Sequence, residues 1–322
     1  MAEPAIAVEA LEKRFVLRVR RGRLRRERRE VAAVDGIGFE IERGSLVGYL
    51  GPNGAGKSTT VKMLTGILVP SGGRIRVAGL DPSRQRVELA RSIGVVFGQR
   101  SQLWWDLPLR DSFDLLRHIY RVPAARHREN LDRFTEVLAL AAFLDTPVRQ
   151  LSLGQRMRGE LTAALLHDPE IVFLDEPTIG LDVVAKAAVR EFLVEVNRER
   201  GVTVLLTTHD LADIERLCSR LLIIDHGHLI WDGGIDELKR EHGQERTLVV
   251  DLEEQAPPLE LEGARVVRTD GPRQWLAFRR DEASAAELIA AVARQARIVD
   301  VAIEETEIEE IVRRIYAAGA RP

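Results

Sequence analysis

The chain has 322 residues, 45% of them hydrophobic and 30% charged, with a net charge of −3. That length allows a large core and a second module, and the mixed, non-repetitive composition excludes a disordered, collagenous or solenoid chain. Near-neutral charge argues against a dedicated nucleic-acid binder, and no apolar run approaches the ~20 residues that cross a bilayer. One cysteine, Cys218, and no leader-like segment over residues 1–10 point to a reducing cytoplasm.

A first strand region carries Phe15. It runs into residues 18–29, where eight of twelve residues are arginine, a stretch that reads as an elongated hairpin or loop with a solvated tip, anionic lipid headgroups and then nucleic acid being the other readings of its charge. Apolar strand-like runs at 46–50, 93–97, 171–174, 202–207 and 221–225 alternate with helical stretches, which predicts an α/β fold with a largely parallel sheet. Residues 109–167 read as helical instead, with helices over 109–120, 124–142 and 153–167. They form a helical subdomain, spanning residues 100–168, inserted between two core strands. The pattern changes near Gly243, so the expected domains are 5–243 and a small α+β domain over 244–322. In the second, strands at 247–252, 265–269 and 275–279 precede a helix at 282–295, a strand at 298–303 and a final helix. That last helix carries an apolar stripe of Ile308, Ile311, Val312 and Ile315, to be buried on its own sheet or against a second copy.

The sequence Gly51-Pro52-Asn53-Gly54-Ala55-Gly56-Lys57-Ser58-Thr59 fits G-x-x-x-x-G-K-[ST], follows the strand at 46–50 and opens a helix predicted over 58–67. Glycines let backbone N–H groups wrap phosphate oxygens, the helix N-terminus adds its positive dipole end, Lys57 reaches the terminal phosphates and Ser58 offers a hydroxyl to Mg²⁺. The strand at 171–174 ends in Asp175 and Glu176, two carboxylates that a buried strand cannot keep without partners. Asp175 is suited to the Mg²⁺ shell and Glu176 to polarising a water. Leu151-Ser152-Leu153-Gly154-Gln155 opens the helix at 153–167, with Ser152 placed to cap it and Leu153, Met157, Leu161 and Leu165 as its expected buried stripe.

These motifs in this order resemble the nucleotide-binding subunit of ABC transporters, whose signature sequence the pentapeptide matches apart from Leu153, where the common form has glycine. The resemblance covers about residues 5–242. It implies the P-loop NTPase fold of ABC ATPases: a mainly parallel core sheet, an antiparallel N-terminal β subdomain and the inserted helical subdomain. It further implies ATP hydrolysis with Mg²⁺ held by Ser58, Asp175 and Gln99, and catalysis by Glu176 with Gln99 and His209. Adenine would stack on Phe15, Ser152, Gly154 and Gln155 would meet the nucleotide of a second ATPase subunit, and Asp182 of Gly180-Leu181-Asp182 would cross that interface. The partners implied are this second subunit and a membrane permease on separate chains, with peripheral attachment at the cytoplasmic face and no nucleic acid. Residues 101–108, with Trp104 and Trp105, and 177–182 resemble multidrug or daunorubicin-resistance exporters, and the tryptophans are expected either in the groove that receives the permease or inside the helical subdomain. The other readings are an importer ATPase with a regulatory C-terminal domain and a non-transport ABC ATPase.

Overall fold

A computed structural model describes residues 3–21, 25–97, 101–208, 210–243, 245–279 and 281–319. The chain forms two compact units, Met1–Gly233 and Gly234–Pro322, so the division falls ten residues before the boundary expected at Gly243.

The first unit runs β1 (Ile6–Arg21), β2 (Arg25–Ile41), β3 (Leu46–Leu50), α1 (Lys57–Leu64), β4 (Gly72–Val77), α2 (Arg86–Ser92), β5 (Ile93–Phe97), α3 (Leu109–Tyr120), α4 (Ala124–Val137), α5 (Leu153–Leu165), β6 (Ile171–Asp175), α6 (Val183–Arg200), β7 (Thr203–Thr207), α7 (Leu211–Leu217), β8 (Arg220–Asp225) and β9 (His228–Gly234). Its main sheet has the order β5-β6-β7-β3-β8-β9, and β5, β6, β7, β3 and β8 pair in parallel. Strands β3 and β7 are buried at every position and β6 at every position but its last, which is why they read as continuous apolar runs. The second sheet is antiparallel, ordered β2-β1-β4. Its inward residues Ile6, Leu11, Ile37 and Ile41 share one core with Tyr49 and Phe173 of the parallel sheet and Met63 of α1.

Strand β4 pairs with β1 only as far as Glu12, opposite Gly72. Beyond that point β1 and β2 continue as a two-stranded ribbon, with Arg18 opposite Arg28 and Arg20 opposite Arg26. The arginine-rich stretch is therefore a hairpin, as expected; its residues 22–24 lie outside the described residues.

In the helical subdomain the apolar faces of α3 and α4 bury Leu109, Phe113, Leu116 and Phe134. Phe134 meets Phe192 of α6 edge-on at 5.6 Å, and the Arg200 guanidinium lies 4.9 Å from its ring. The helix expected over 124–142 stops at Val137, because Ala139 takes a left-handed φ of 49°, a conformation that ends a right-handed helix.

The second unit contains α8 (Ile235–His242), β10 (Glu245–Leu252), β11 (Ala264–Asp270), β12 (Arg273–Arg279), α9 (Ala285–Gln295), β13 (Ile298–Glu305) and α10 (Ile308–Gly319). Its sheet is ordered β11-β12-β10-β13, and Leu288 and Val292 of α9 cover Leu248, Val250, Leu276 and Phe278. The stripe of α10 is buried at Ile308, Ile311 and Val312. It packs towards α8, with Ile311 against Gly243, and Ile315 is half-buried.

Candidate functional site

Leu50, Asp175 and Thr207 end three parallel strands at one edge of the sheet, and the segments leaving that edge carry residues 51–56, 176–182, 208 and 210. The C-terminal edge of such a sheet is where open α/β folds bind ligands. The first loop turns sharply into α1. A Cβ on Gly51 would lie 2.4 Å from the Ile224 carbonyl oxygen, and one on Gly56, at φ 112°, would lie 2.4 Å from that of Ala33. Only glycine fits at either position. Behind the loop, the buried Tyr49 hydroxyl donates to Thr60 Oγ1 at 3.1 Å, and the Thr60 hydroxyl donates to the Gly56 carbonyl at 3.1 Å. This brace was not singled out in the sequence; its signal was a tyrosine inside an otherwise aliphatic strand.

Lys57 is buried, and its ammonium donates to the carbonyls of Gly51 and, at 3.1 Å, Pro52. Burial lowers its pKa below the usual lysine range, while Glu176 and Asp175 pull the other way. The cation and the two carboxylates stand at the same end of the sheet, where β3 and β6 deliver them, and opposite charges there favour the ionised forms. Pro52, Asn53, Gly54 and Ser58 are exposed around it, Thr59 is half-buried, and Ala55 and Gly56 are buried.

Asp175 sits opposite Thr207 of β7 and accepts a 2.5 Å hydrogen bond from its hydroxyl. Glu176 adopts φ 55°, rare for a residue with a side chain, and its N–H donates to the Thr207 carbonyl at 2.8 Å. The bend turns the chain out of the sheet immediately after Asp175, and strain of this kind concentrates at functional sites. The next loop is anchored by Thr178, whose hydroxyl donates to the fully buried Asp213 at 2.5 Å, and Arg190 also holds that carboxylate. Lys186 pairs with Asp210 at 2.6 Å. The segment after position 209 is thus tied to α6, and the one before it to Asp175 and Glu176 through Thr207. His209 itself and Gln99 lie outside the described residues.

A second group gathers at the start of α5. Ser152 caps that helix in a reciprocal box: its hydroxyl accepts from the Gln155 N–H at 3.2 Å, and its own N–H donates to Gln155 Oε1 at 2.9 Å. A Cβ on Gly154 would stand 3.5 Å from Ala185 and 3.8 Å from Leu181, so this helix start lies beside the loop at 180–182. Asp182 caps α6 by accepting from the Ala185 N–H at 2.8 Å. Met157, Leu161 and Leu165 are buried as the stripe requires, but Leu153 is 40% exposed. At the first position of the helix it leans towards Gly180 instead of into the core.

Phe15 is half-buried on the ribbon opposite Val31, with the Lys13 ammonium 5.3 Å from its ring. Trp104 and Trp105 are 38% and 53% exposed, so neither is packed inside the helical subdomain.

The ABC transporter family model matches residues 34–179. A daunorubicin resistance ATP-binding protein of Streptomyces coeruleorubidus is 38% identical over 250 residues, covering 78% of this chain and 74% of that protein. The chain belongs to the ABC transporter family. As an ABC protein it is of the ATP-binding type, with the ATPase fold, and a Nod factor export ATP-binding protein of Ralstonia nicotianae is 35% identical over 73% of this chain and 68% of that one. Among solved structures, cbiO1 of Clostridium perfringens, described as part of the transporter complex cbiONQ, superposes with a TM-score of 0.63 at 29% identity, covering 74% of this chain and 92% of that chain. Among the described residues no helix is long and apolar enough to cross a membrane.

Proposed function

We propose that this chain hydrolyses ATP to drive a separate membrane permease in the direction of export, attached peripherally at the cytoplasmic face through that permease. The observation that supports the chemistry is that parallel strands β3 and β6 deliver the loop ending in Lys57 and the acids Asp175 and Glu176 at the same end of one sheet. In this reading the backbone N–H groups of 53–59 and the start of α1 hold the phosphates, and Lys57 clamps their far end. Glu176, turned out of the strand, takes the proton of the attacking water. His209 contacts the γ-phosphate and Phe15 stacks on adenine. Ser58, Asp175 and Gln99 offer a hydroxyl, a carboxylate and an amide oxygen, a hard-donor set suited to Mg²⁺, which would neutralise charge on the phosphates.

The nucleotide is completed by a second ATPase subunit. Ile179, Val183 and Val184 are 50%, 82% and 79% exposed next to the exposed Leu153, an apolar surface around Gly154 and Asp182 that suits a protein partner. Ser152, Gly154 and Gln155 of one subunit then close over the phosphates held by Lys57 of the other.

Export is supported by the drug-resistance and export ATP-binding proteins among the relatives, and permease docking by the exposed tryptophan pair. Truncating an interfacial tryptophan removes ~2 kcal/mol or more. With purified transporter in proteoliposomes, Trp104→Ala or Trp105→Ala is expected to lose transport and permease-stimulated ATPase while retaining ATP binding. Normal transport by both variants removes the pair from the docking surface.

A further inference from the structure

Glu160 is a carboxylate in the core of the helical subdomain, 5% exposed, on the same helix as the Ser152 cap and two turns beyond it. Ser101 donates its hydroxyl to Glu160 Oε1, and the Gln102 N–H donates to Oε2 at 3.3 Å. The Gln102 amide nitrogen adds bonds to the Glu160 carbonyl at 3.3 Å and to the Val95 carbonyl of β5 at 3.5 Å. Gly159 has the matching role: a Cβ there would stand 2.8 Å from Leu109 and 3.2 Å from Leu103, so its bare backbone lets residues 101–109 lie directly on α5. The clasp continues outward, because the Leu103 N–H donates to Ser101 Oγ at 3.1 Å and the Trp104 N–H to the buried Ser112 at 3.2 Å. Burial raises the Glu160 pKa, opposed by the bonds from Ser101 and Gln102 and by Arg156 one turn earlier.

A buried carboxylate is costly unless its acceptors are filled, and removing its partners is worse than never burying it. The contacts that fill Glu160 come from the two residues that begin the described chain after Gln99, which lead directly into Trp104 and Trp105. We propose that Glu160 is a positioning residue that locks the signature helix to this segment, so that the Ser152 end of α5, the approach to Gln99 and the tryptophan pair move as one body through the ATPase cycle. This rests on the function proposed above. It adds a residue that touches neither nucleotide nor permease.

The test uses the full chain reconstituted with its permease, comparing Glu160→Ala, Glu160→Gln, Ser101→Ala and the double variant Glu160→Ala/Ser101→Ala. Misplacing a reacting group by about 1 Å costs up to about 100-fold in rate. We therefore expect Glu160→Ala to lower kcat by about 10- to 100-fold with the nucleotide Kd moved less than about 3-fold, and Glu160→Gln, which keeps one acceptor for Ser101, to recover part of the loss. Any ATP-dependent change in Trp104 and Trp105 emission should shrink in parallel. Ser101→Ala should add little in the Glu160→Ala background, since both break one clasp. Unchanged kcat and coupling in Glu160→Ala overturns the proposal, as do additive effects of the two substitutions, or a loss of kcat that tracks a loss of nucleotide affinity and melting temperature without recovery in Glu160→Gln. Glu176→Gln is the control: if it keeps full turnover, the catalytic reading fails, whereas a dead Glu176→Gln beside a normal Glu160→Ala sinks the clasp alone.

Discussion

Glu176→Gln is expected to bind ATP normally and to hydrolyse it about 10²- to 10⁴-fold more slowly, the usual contribution of a placed general base. The amide keeps the size of the side chain, and the backbone conformation at φ 55° and the N–H bond to Thr207 are independent of the carboxylate. The fold is therefore expected to stay intact, while proton acceptance and the charge attraction to Lys57 are lost. The variant should accumulate with ATP bound between two subunits, visible as a nucleotide-dependent dimer in sedimentation, if, as proposed, closure precedes hydrolysis and opening follows it. Turnover equal to the parent protein would remove Glu176 from the mechanism.

Gly56→Ala is the structural counterpart, and its effect should be almost as large. The new methyl meets the Ala33 carbonyl oxygen at 2.4 Å, a backbone atom of β2 that cannot rotate away, and φ 112° is strained for any L side chain. Together these cost about 2 kcal/mol or more, and relief requires the loop to move off β2 and carry Lys57 with it. Nucleotide binding should fall by about 30-fold or more on the same scale. Gly54→Ala provides the comparison: φ is 86°, but nothing lies within 4 Å of the added methyl, so its loss should be smaller. Equal effects from the two substitutions, read by equilibrium nucleotide binding, would show that strain and not the contact with β2 decides.

Much of this was readable from the chain because the chemistry needs particular residue types at fixed spacings. The segments at 51–59 and 151–155 and the acids at 175–176 are set by what phosphate, a helix cap and a buried strand demand, and β3, β5 and β6 announce themselves as short apolar runs. What stayed hidden depends on non-local packing. Nothing near Ala139 marks the end of α4, since no glycine or proline stands there. The period of α5 puts Leu153 on the buried stripe, but at the first residue of the helix the adjoining surface is the loop at 180–182 and not the core. Glu160 carries a legible signal: a charge three residues from Met157, on the face of α5 that the apolar period assigns to the interior. Its meaning required knowing that residues 101–103 lie across that face. The burial of the α10 stripe towards α8 likewise could not be told from burial on a sheet, because an amphipathic pattern specifies that a face is covered and leaves the covering element open.

In the proposed function each nucleotide is held by the Lys57 loop of one subunit and the Ser152 and Gly154 end of α5 from another. Mixing a Lys57→Ala subunit with a Gly154→Asp subunit tests it most directly, since the mixed dimer gathers both lesions in one site and leaves the other intact. Each variant alone should be inactive, and the mixture, under conditions where mixed dimers are shown to form, should recover partial ATPase activity. A mixture as inactive as its parents would contradict the shared site.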